Sequence, residues 1–218
     1  MLDESEERDG SYAPSKRLRL FVAVNFPSEI QKNLNAIRGE APEVAREVRW
    51  TKPEQVHLTL KFLGSMDPAS VGEIERALTA AVRDVSVMTL RAEGIGCFPD
   101  AHRPRILWAG IAGDVDVLLN LQSRVDEALC PWAEPEKRSY AAHITLGRFK
   151  GVGPATRRSL KGLLERDVAR DFGEWQVQQI DLMQSLLTGA GSSYKCLASM
   201  QLMGGSREGG TSGTQKAS

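Results

Sequence analysis

Residues 56–63 read VHLTLKFL and residues 141–149 read AAHITLGRF. Each stretch holds a histidine followed by an apolar residue, a threonine and a leucine: His57-Leu58-Thr59-Leu60 and His143-Ile144-Thr145-Leu146. From ordinary residue usage, a given histidine meets x-Thr-Leu by chance on the order of once in a few hundred. Here two of the chain's three histidines do so. Alternation at period two makes both stretches strands, with His57 and Thr59 on one face and Leu58 and Leu60 on the other. His143 and Thr145 stand against Ile144 and Leu146 in the same way. Each strand offers an imidazole beside a hydroxyl, backed by apolar residues. The duplication points to two related units, each supplying one strand to a shared cleft.

Working outward, RLRLFVAVNF (17–26) puts Leu18, Leu20, Val22, Val24 and Phe26 on one face of a strand. A helix follows with Ser28 as N-cap and Ile30, Leu34 and Ile37 on one stripe. Gly64 stops the first motif strand. Asp67-Pro68 then caps a helix carrying Val71, Ile74, Leu78 and Val82. Strands are predicted near 86–97 and 105–112 around the turn-rich PDAHRP, and a helix over 114–129. After the strand at 141–149 come a helix around 156–168 and two strands near 174–187 and 193–202, flanking Thr188-Gly189-Ala190-Gly191. The short hairpin connections favour antiparallel pairs, hence α+β rather than a doubly wound parallel sheet. Residues 1–16 read as a disordered leader and residues 204–218 as a Gly/Ser-rich disordered tail, leaving 17–203 as the folded domain.

The chain has 218 residues, 41% hydrophobic and 26% charged, with Lys+Arg and Asp+Glu both at 28. A net charge of zero argues against affinity built by coating long nucleic acid with positive charge, while leaving room for a small basic cleft. Cys97, Cys130 and Cys196 are widely spaced and form no CxxC, so they read as reduced, partly buried thiols of a cytoplasmic protein. The acidic, polar start is unlike a signal peptide, and no apolar run approaches the ~20 residues that cross a bilayer.

Two imidazoles suit a cyclic phosphodiester. One takes a proton from water while the other protonates the departing sugar oxygen, and an unperturbed pKa near ~6.5 lets imidazole do either near neutrality. The threonine hydroxyls can donate to the non-bridging oxygens. A zinc site would need three or four ligands, and neither motif carries another donor on the histidine face. We therefore expect no metal and no cofactor.

The segments RLFVAVNFP, VRWTKPEQVHLTLKFLG, GCFPDAHRPRILWAGI, AHITLGRF and SLLTGAGSSYKCL together resemble the two-histidine phosphoesterase superfamily. The resemblance is to its RNA 2′,3′-cyclic phosphodiesterase family, formerly called 2′-5′ RNA ligases. It implies a bilobal α+β fold of two pseudo-symmetric lobes, each with an antiparallel sheet and outer helices, and an active site in the cleft between them. It also implies hydrolysis of RNA 3′ ends bearing a 2′,3′-cyclic phosphate to a 2′-phosphomonoester, with His57 as proton donor and His143 as proton acceptor. The family usually has proline before the second histidine, where this chain has Ala142, so stiffening at that strand entry must come from elsewhere.

Arg148 follows the second motif, where the family often has arginine, and is a candidate phosphate contact beside Thr59 and Thr145. Simple parity sets it on the face opposite His143 unless the strand bulges. Lys61 shares parity with His57 and could lend charge to the cleft, an exposed lysine being the ordinary alternative. Trp50, Phe98 and Tyr140 could stack a terminal base but sit where core aromatics are commoner. His102 reads as surface, and Gly94-x-Gly96 and Gly151-x-Gly153 as turns. Two other functions fit the same residues: ATP-independent 2′-5′ joining of RNA, and RNA-end binding without turnover. No GxxxxGK[ST] loop is present for energy-coupled ligation. Two lobes in one chain need no partner to complete the site, so a monomer is expected.

Overall fold

The structure, a computed structural model, describes residues 17–135, 137–188 and 191–203. The expected leader and tail, and positions 189 and 190 of the last turn, lie outside the described residues. Along the chain run β1 (Leu18–Val24), α1 (Ser28–Glu40), α2 (Pro42–Glu47), β2 (Val48–Trp50), β3 (Leu58–Met66) and α3 (Val71–Val82). There follow β4 (Met88–Phe98), β5 (Ile106–Gly113), α4 (Val115–Ala128), β6 (His143–Phe149), α5 (Pro154–Arg166), β7 (Asp171–Val177), β8 (Gln179–Thr188) and β9 (Gly191–Gln201). Ser28 begins α1 but makes no capping bond; Pro27 holds the cap position. Asp67 caps a short 3-10 turn ahead of α3, accepting from the Ala69 N–H at 2.9 Å.

The strands form one antiparallel sheet in the order β7-β4-β5-β6-β3-β1-β8-β9, with β2 added on β6. The two motif strands, β3 and β6, meet at its centre through a single bridge, Leu58 opposite Ile144. Outward from that seam each half has four strands: β3-β1-β8-β9 on one side and β6-β5-β4-β7 on the other. The chain traces a similar path twice, strand–helix–motif strand–helix–strand, first β1 to β4 and then β5 to β7. The expected strand at 174–187 is two strands. They break at Gln178 and travel to opposite halves, β7 to the edge beside β4 and β8 to the side of β1. Continuous apolar alternation hides such a break, because it records which face is buried and not which neighbour a strand joins.

The helices cover one face, called here the back. Leu20, Val22 and Val24 of β1, Leu58 and Leu60 of β3, and Ile144 and Leu146 of β6 all point there. They join Ile30, Leu34 and Ile37 of α1, Ile74 and Leu78 of α3, and Leu118 and Leu121 of α4 in one core. Most of these are 0–3% exposed, and each such side chain contributes roughly 1.5–3 kcal/mol relative to exposure. The back face therefore fixes the register of both motif strands. A slip of one residue would bury the histidines and expose the leucines.

Bulges modify the simple alternation. In β3 the pairing with β1 skips Leu60 and Leu63, so Lys61 lies opposite the core residue Val22 and Phe62 opposite Phe21. In β6 the pairing with β5 skips Leu146. The first bulge overturns the expected placement of Lys61. Its side chain goes to the back, is 6% exposed, pairs with Asp126 of α4 and donates to the Glu134 carbonyl at 2.6 Å. It lends no charge to the cleft.

Candidate active site

On the front face the register of the seam decides the geometry. The single Leu58–Ile144 bridge points inward to the back, which leaves His57, Thr59, His143 and Thr145 on the front on either side of it. A regular ladder through that bridge would set the two histidines on a diagonal, roughly 7–8 Å apart, wide enough for a phosphate. β3 pairs with β6 at that one bridge and β2 takes the place beside β6 from Gly147 on, so the segment joining β2 to β3, with Thr51, Gln55 and His57, borders a cleft.

That cleft encloses about 410 Å³ and is lined by His57, Thr59, Thr145 and Arg148, together with Arg19 and Tyr194 among others. His143 is outside this lining, one position along the same face, with its ring edge-on to Phe98 at 5.1 Å. Arg148 reaches the cleft because the bulge at Leu146 reverses the parity of the residues after it. Gly147 faces the buried Leu107, and Arg148 returns to the face of Thr145. Gly147 must be glycine, since a Cβ there would lie 2.4 Å from Val48 Cγ1 and 2.9 Å from the Arg49 carbonyl oxygen.

Both imidazoles are held alike. His57 Nδ1 lies 2.7 Å from the Gln55 carbonyl oxygen, and His143 Nδ1 lies 2.7 Å from that of Ala141. A carbonyl only accepts, so in each ring Nδ1 carries the proton and Nε2 is left for chemistry. The supports of the two carbonyls differ. Gln55 is tied to β9 through its side-chain amide, which donates to the Ser192 carbonyl. Ahead of His143, the Tyr140 hydroxyl donates to the Thr59 carbonyl at 2.8 Å, fastening that segment to the opposite motif strand. This bond supplies restraint at an entry where Ala142 replaces proline.

Aromatic rings wall both histidines. Phe21 stacks on His57 at 4.8 Å with a 30° interplanar angle, and Tyr194 meets it edge-on at 5.3 Å. Phe21, Ala23 and Met183 form a small apolar cluster under the front face, with Tyr194 packed against it. Burial among them pushes the His57 pKa below its ordinary value, and the bond to Gln55 offsets part of that. Of the three aromatics weighed for base stacking, Trp50 and Tyr140 pack against the core, the commoner placement; Trp50 Nε1 donates to the Ala45 carbonyl at 3.1 Å. Phe98 packs against Trp108 and His143. Gly94 and Gly96 lie within β4 and not in a turn. Gly94 has φ of 70°, and the Trp108 ring covers Gly96.

Sequence reasoning missed Phe21, Phe62, Gln55 and Tyr194. Phe21 and Arg19 sit at the odd positions of β1, so their face was legible, but nothing in the pattern said that this face floors a cleft. Phe62 is 69% exposed at the cleft rim, which only the β3 bulge explains. Among the described residues no three His, Cys, Asp or Glu side chains converge, and no helix is long and apolar enough to cross a membrane.

Residues 24–108 match the family of LigT-like phosphoesterases, which gives the class. An Archaeoglobus fulgidus protein named RNA 2′,3′-cyclic phosphodiesterase is 31% identical over 83% of this chain and 98% of its own length. An Aquifex aeolicus protein of the same name is 29% identical over 87% and 100%. A solved Thermus thermophilus structure superposes with a TM-score of 0.67 at 27% identity, covering 85% of this chain and 98% of that one. E. coli LigT, solved with 3′-AMP, shares the fold at TM-score 0.63 and 21% identity, over 85% and 98%. The chain belongs to the LigT-like phosphoesterase family.

Proposed function

We propose that this protein opens terminal RNA 2′,3′-cyclic phosphates to 2′-phosphomonoesters by metal-independent acid–base catalysis. His143 Nε2 takes a proton from water as the water oxygen bonds to phosphorus. His57 Nε2 gives a proton to the 3′ oxygen as its bond to phosphorus breaks. Thr59 and Thr145 donate to the non-bridging oxygens, and Arg148 offsets their charge. The relatives' shared name supports the reaction class. The observation that carries the mechanism is the matched pair of Nδ1 bonds, which leaves two Nε2 atoms for chemistry on one face.

With its pKa pushed down by burial, His57 is mostly neutral at pH 7 in the free protein. A phosphate anion arriving in the cleft favours the imidazolium again, so substrate binding itself arms the acid. We take residues 17–203 as one bilobal domain, acting as a monomer since one chain supplies both motifs. The exposed free thiols of Cys130 and Cys196 suit a reducing, cytoplasmic setting.

Incubation with a cyclic-ended oligonucleotide in EDTA should yield the 2′-phosphomonoester, identified by phosphorus NMR. A 3′-phosphate, a 2′-5′ joined product or a requirement for added metal would overturn the reading. So would full activity in His57→Ala or His143→Ala.

A further inference from the structure

Arg148 also lines a second depression, of about 550 Å³. Its walls carry His102, Arg103 and Arg105 from the β4–β5 connection, Arg148 and Lys150 from the end of β6, and Arg157 from the first turn of α5. Five of these six are permanently cationic near neutral pH, and no carboxylate lines the depression. Among the described residues none of the five takes part in an ion pair. Two acids stand at its edge, and Asp100 attracts the charges of His102 and Arg103. Asp100 accepts from the backbone N–H groups of His102 and Arg103 at 2.8 and 3.0 Å, and the Glu47 side chain lies against Gly151.

Such a cluster stands out on a chain of zero net charge, because like charges repel in the folded state and the attraction of Asp100 for His102 and Arg103 offsets only part of the excess. The sheet adds to the repulsion by setting Arg49 directly opposite Arg148 on neighbouring strands. The scaffold beneath is held firmly. Arg105 N–H donates to the Phe98 carbonyl at 2.7 Å, Phe149 N–H to the Arg105 carbonyl at 2.9 Å, and Lys150 N–H to the Glu47 carbonyl at 2.8 Å. The cations therefore stand on a fixed track that begins at Arg148, the residue shared with the cleft.

We propose that this track binds the phosphates of the RNA strand immediately upstream of the reacting 3′ end. The inference rests on the function proposed above and extends it: the enzyme grips an oligonucleotide and not only its terminal nucleotide. Guanidinium forks match phosphate oxygens in pairs, and a track dominated by them reads backbone charge without regard to base.

The test compares a 2′,3′-cyclic mononucleotide with a cyclic-ended single-stranded RNA of about ten nucleotides, a length typical of single-strand tracks. Wild type is assayed beside a variant combining Arg103→Gln, Arg105→Gln, Lys150→Gln and Arg157→Gln, with Arg148 kept. The variant should raise KM for the RNA by about tenfold or more and flatten its log KM against log salt by about 0.7 per lost phosphate contact. Its kcat/KM on the mononucleotide should stay within about twofold of wild type, which also reports an intact fold. A version with Lys at the three arginine positions should recover the salt slope, since charge and not fork geometry governs it. Equal wild-type kcat/KM on both substrates, or an unchanged RNA KM in the Gln variant, overturns the track alone. A wild type inert on both overturns the proposed function and the track with it.

Discussion

Phe21→Leu isolates what the aromatic wall does for His57. Phe21 is 3% exposed and touches three rings: His57 at 4.8 Å, Tyr194 at 5.1 Å and Phe62 at 6.1 Å. Aromatic pairs at such separations are worth about 0.5–1.5 kcal/mol each beyond area burial. Leucine keeps much of the apolar area and the neighbours relax, so a loss of about 1–3 kcal/mol is expected above pH 7. The loss should depend on pH in a definite direction. The folded protein holds His57 below the unfolded value of ~6.5, so between the two pKa values the unfolded chain binds more protons and wild-type stability falls as pH drops. With leucine in place water reaches the imidazole, the two pKa values draw together and that fall shrinks. The measured cost of the substitution should therefore be smaller below pH 6.5 than at pH 8. Urea unfolding at both pH values gives the stability arm, and NMR titration of the His57 ring gives the pKa arm, expected to move up. A destabilised variant whose His57 titrates as in wild type would refute the reasoning, because Phe21 would then pack without desolvating.

Either single histidine variant, His57→Ala or His143→Ala, should lower kcat by about 10²–10⁴ while circular dichroism stays unchanged. If His57 is the acid, kcat/KM should decline on the alkaline side of a pKa below 6.5, and the corresponding limb in kcat should lie higher because bound phosphate restores the proton; steady-state pH profiles decide it. Lys61→Met breaks the buried pair with Asp126, which keeps 18% side-chain exposure, so about 2–4 kcal/mol should be lost in urea unfolding. Its kcat/KM should nonetheless change by less than about twofold, because Lys61 faces the back. Phe62→Ala should raise KM for nucleotide substrates by roughly 5- to 150-fold, the equivalent of one base–aromatic stack. Its thermal midpoint should fall by no more than about a few degrees, since the ring is 69% exposed and what it loses is chiefly the pair with Phe21 at 6.1 Å.

Most of the elements were legible because their apolar faces are simple. The helix expected over Val71, Ile74, Leu78 and Val82 is α3, and the strand carrying Leu20, Val22 and Val24 is β1. The short α2 and β2 were missed, six and three residues long with one buried side chain each, too little for a periodic signal. The histidine–threonine faces were legible for the same reason that the core was: the leucines behind them allow one register. What no local pattern carries is the identity of strand neighbours. Tyr194 comes to His57 only because β9 joins β8, β8 joins β1 and β1 joins β3. Likewise the basic track joins residues from three separated segments whose charges look dispersed along the chain.

The bulges extend the internal repeat beyond what the motifs alone suggest. Counting from each histidine, the skipped residue is the leucine that closes the motif: Leu60 after His57 and Leu146 after His143. Each bulge sends the next residue to the back, Lys61 in one half and Gly147 in the other. Each returns the one after that to the front. Phe62 and Arg148 are therefore counterparts, brought to the cleft by the same irregularity in two related strands. A bulge that aims a side chain is a designed feature of such sheets, and here the same one is used twice with different chemistry. The four motif side chains are nearly symmetric, yet a 2′,3′-cyclic end has a base on one side and a chain of phosphates on the other. An apolar ring at one counterpart position and a guanidinium leading into a cationic track at the other break the symmetry in the way that substrate requires. If the proposed track holds the strand, the direction in which RNA enters should follow from what the paired bulges present and not from the histidines. Exchanging the two residues, Phe62→Arg with Arg148→Phe, should abolish the preference for RNA over a cyclic mononucleotide even where both histidines remain.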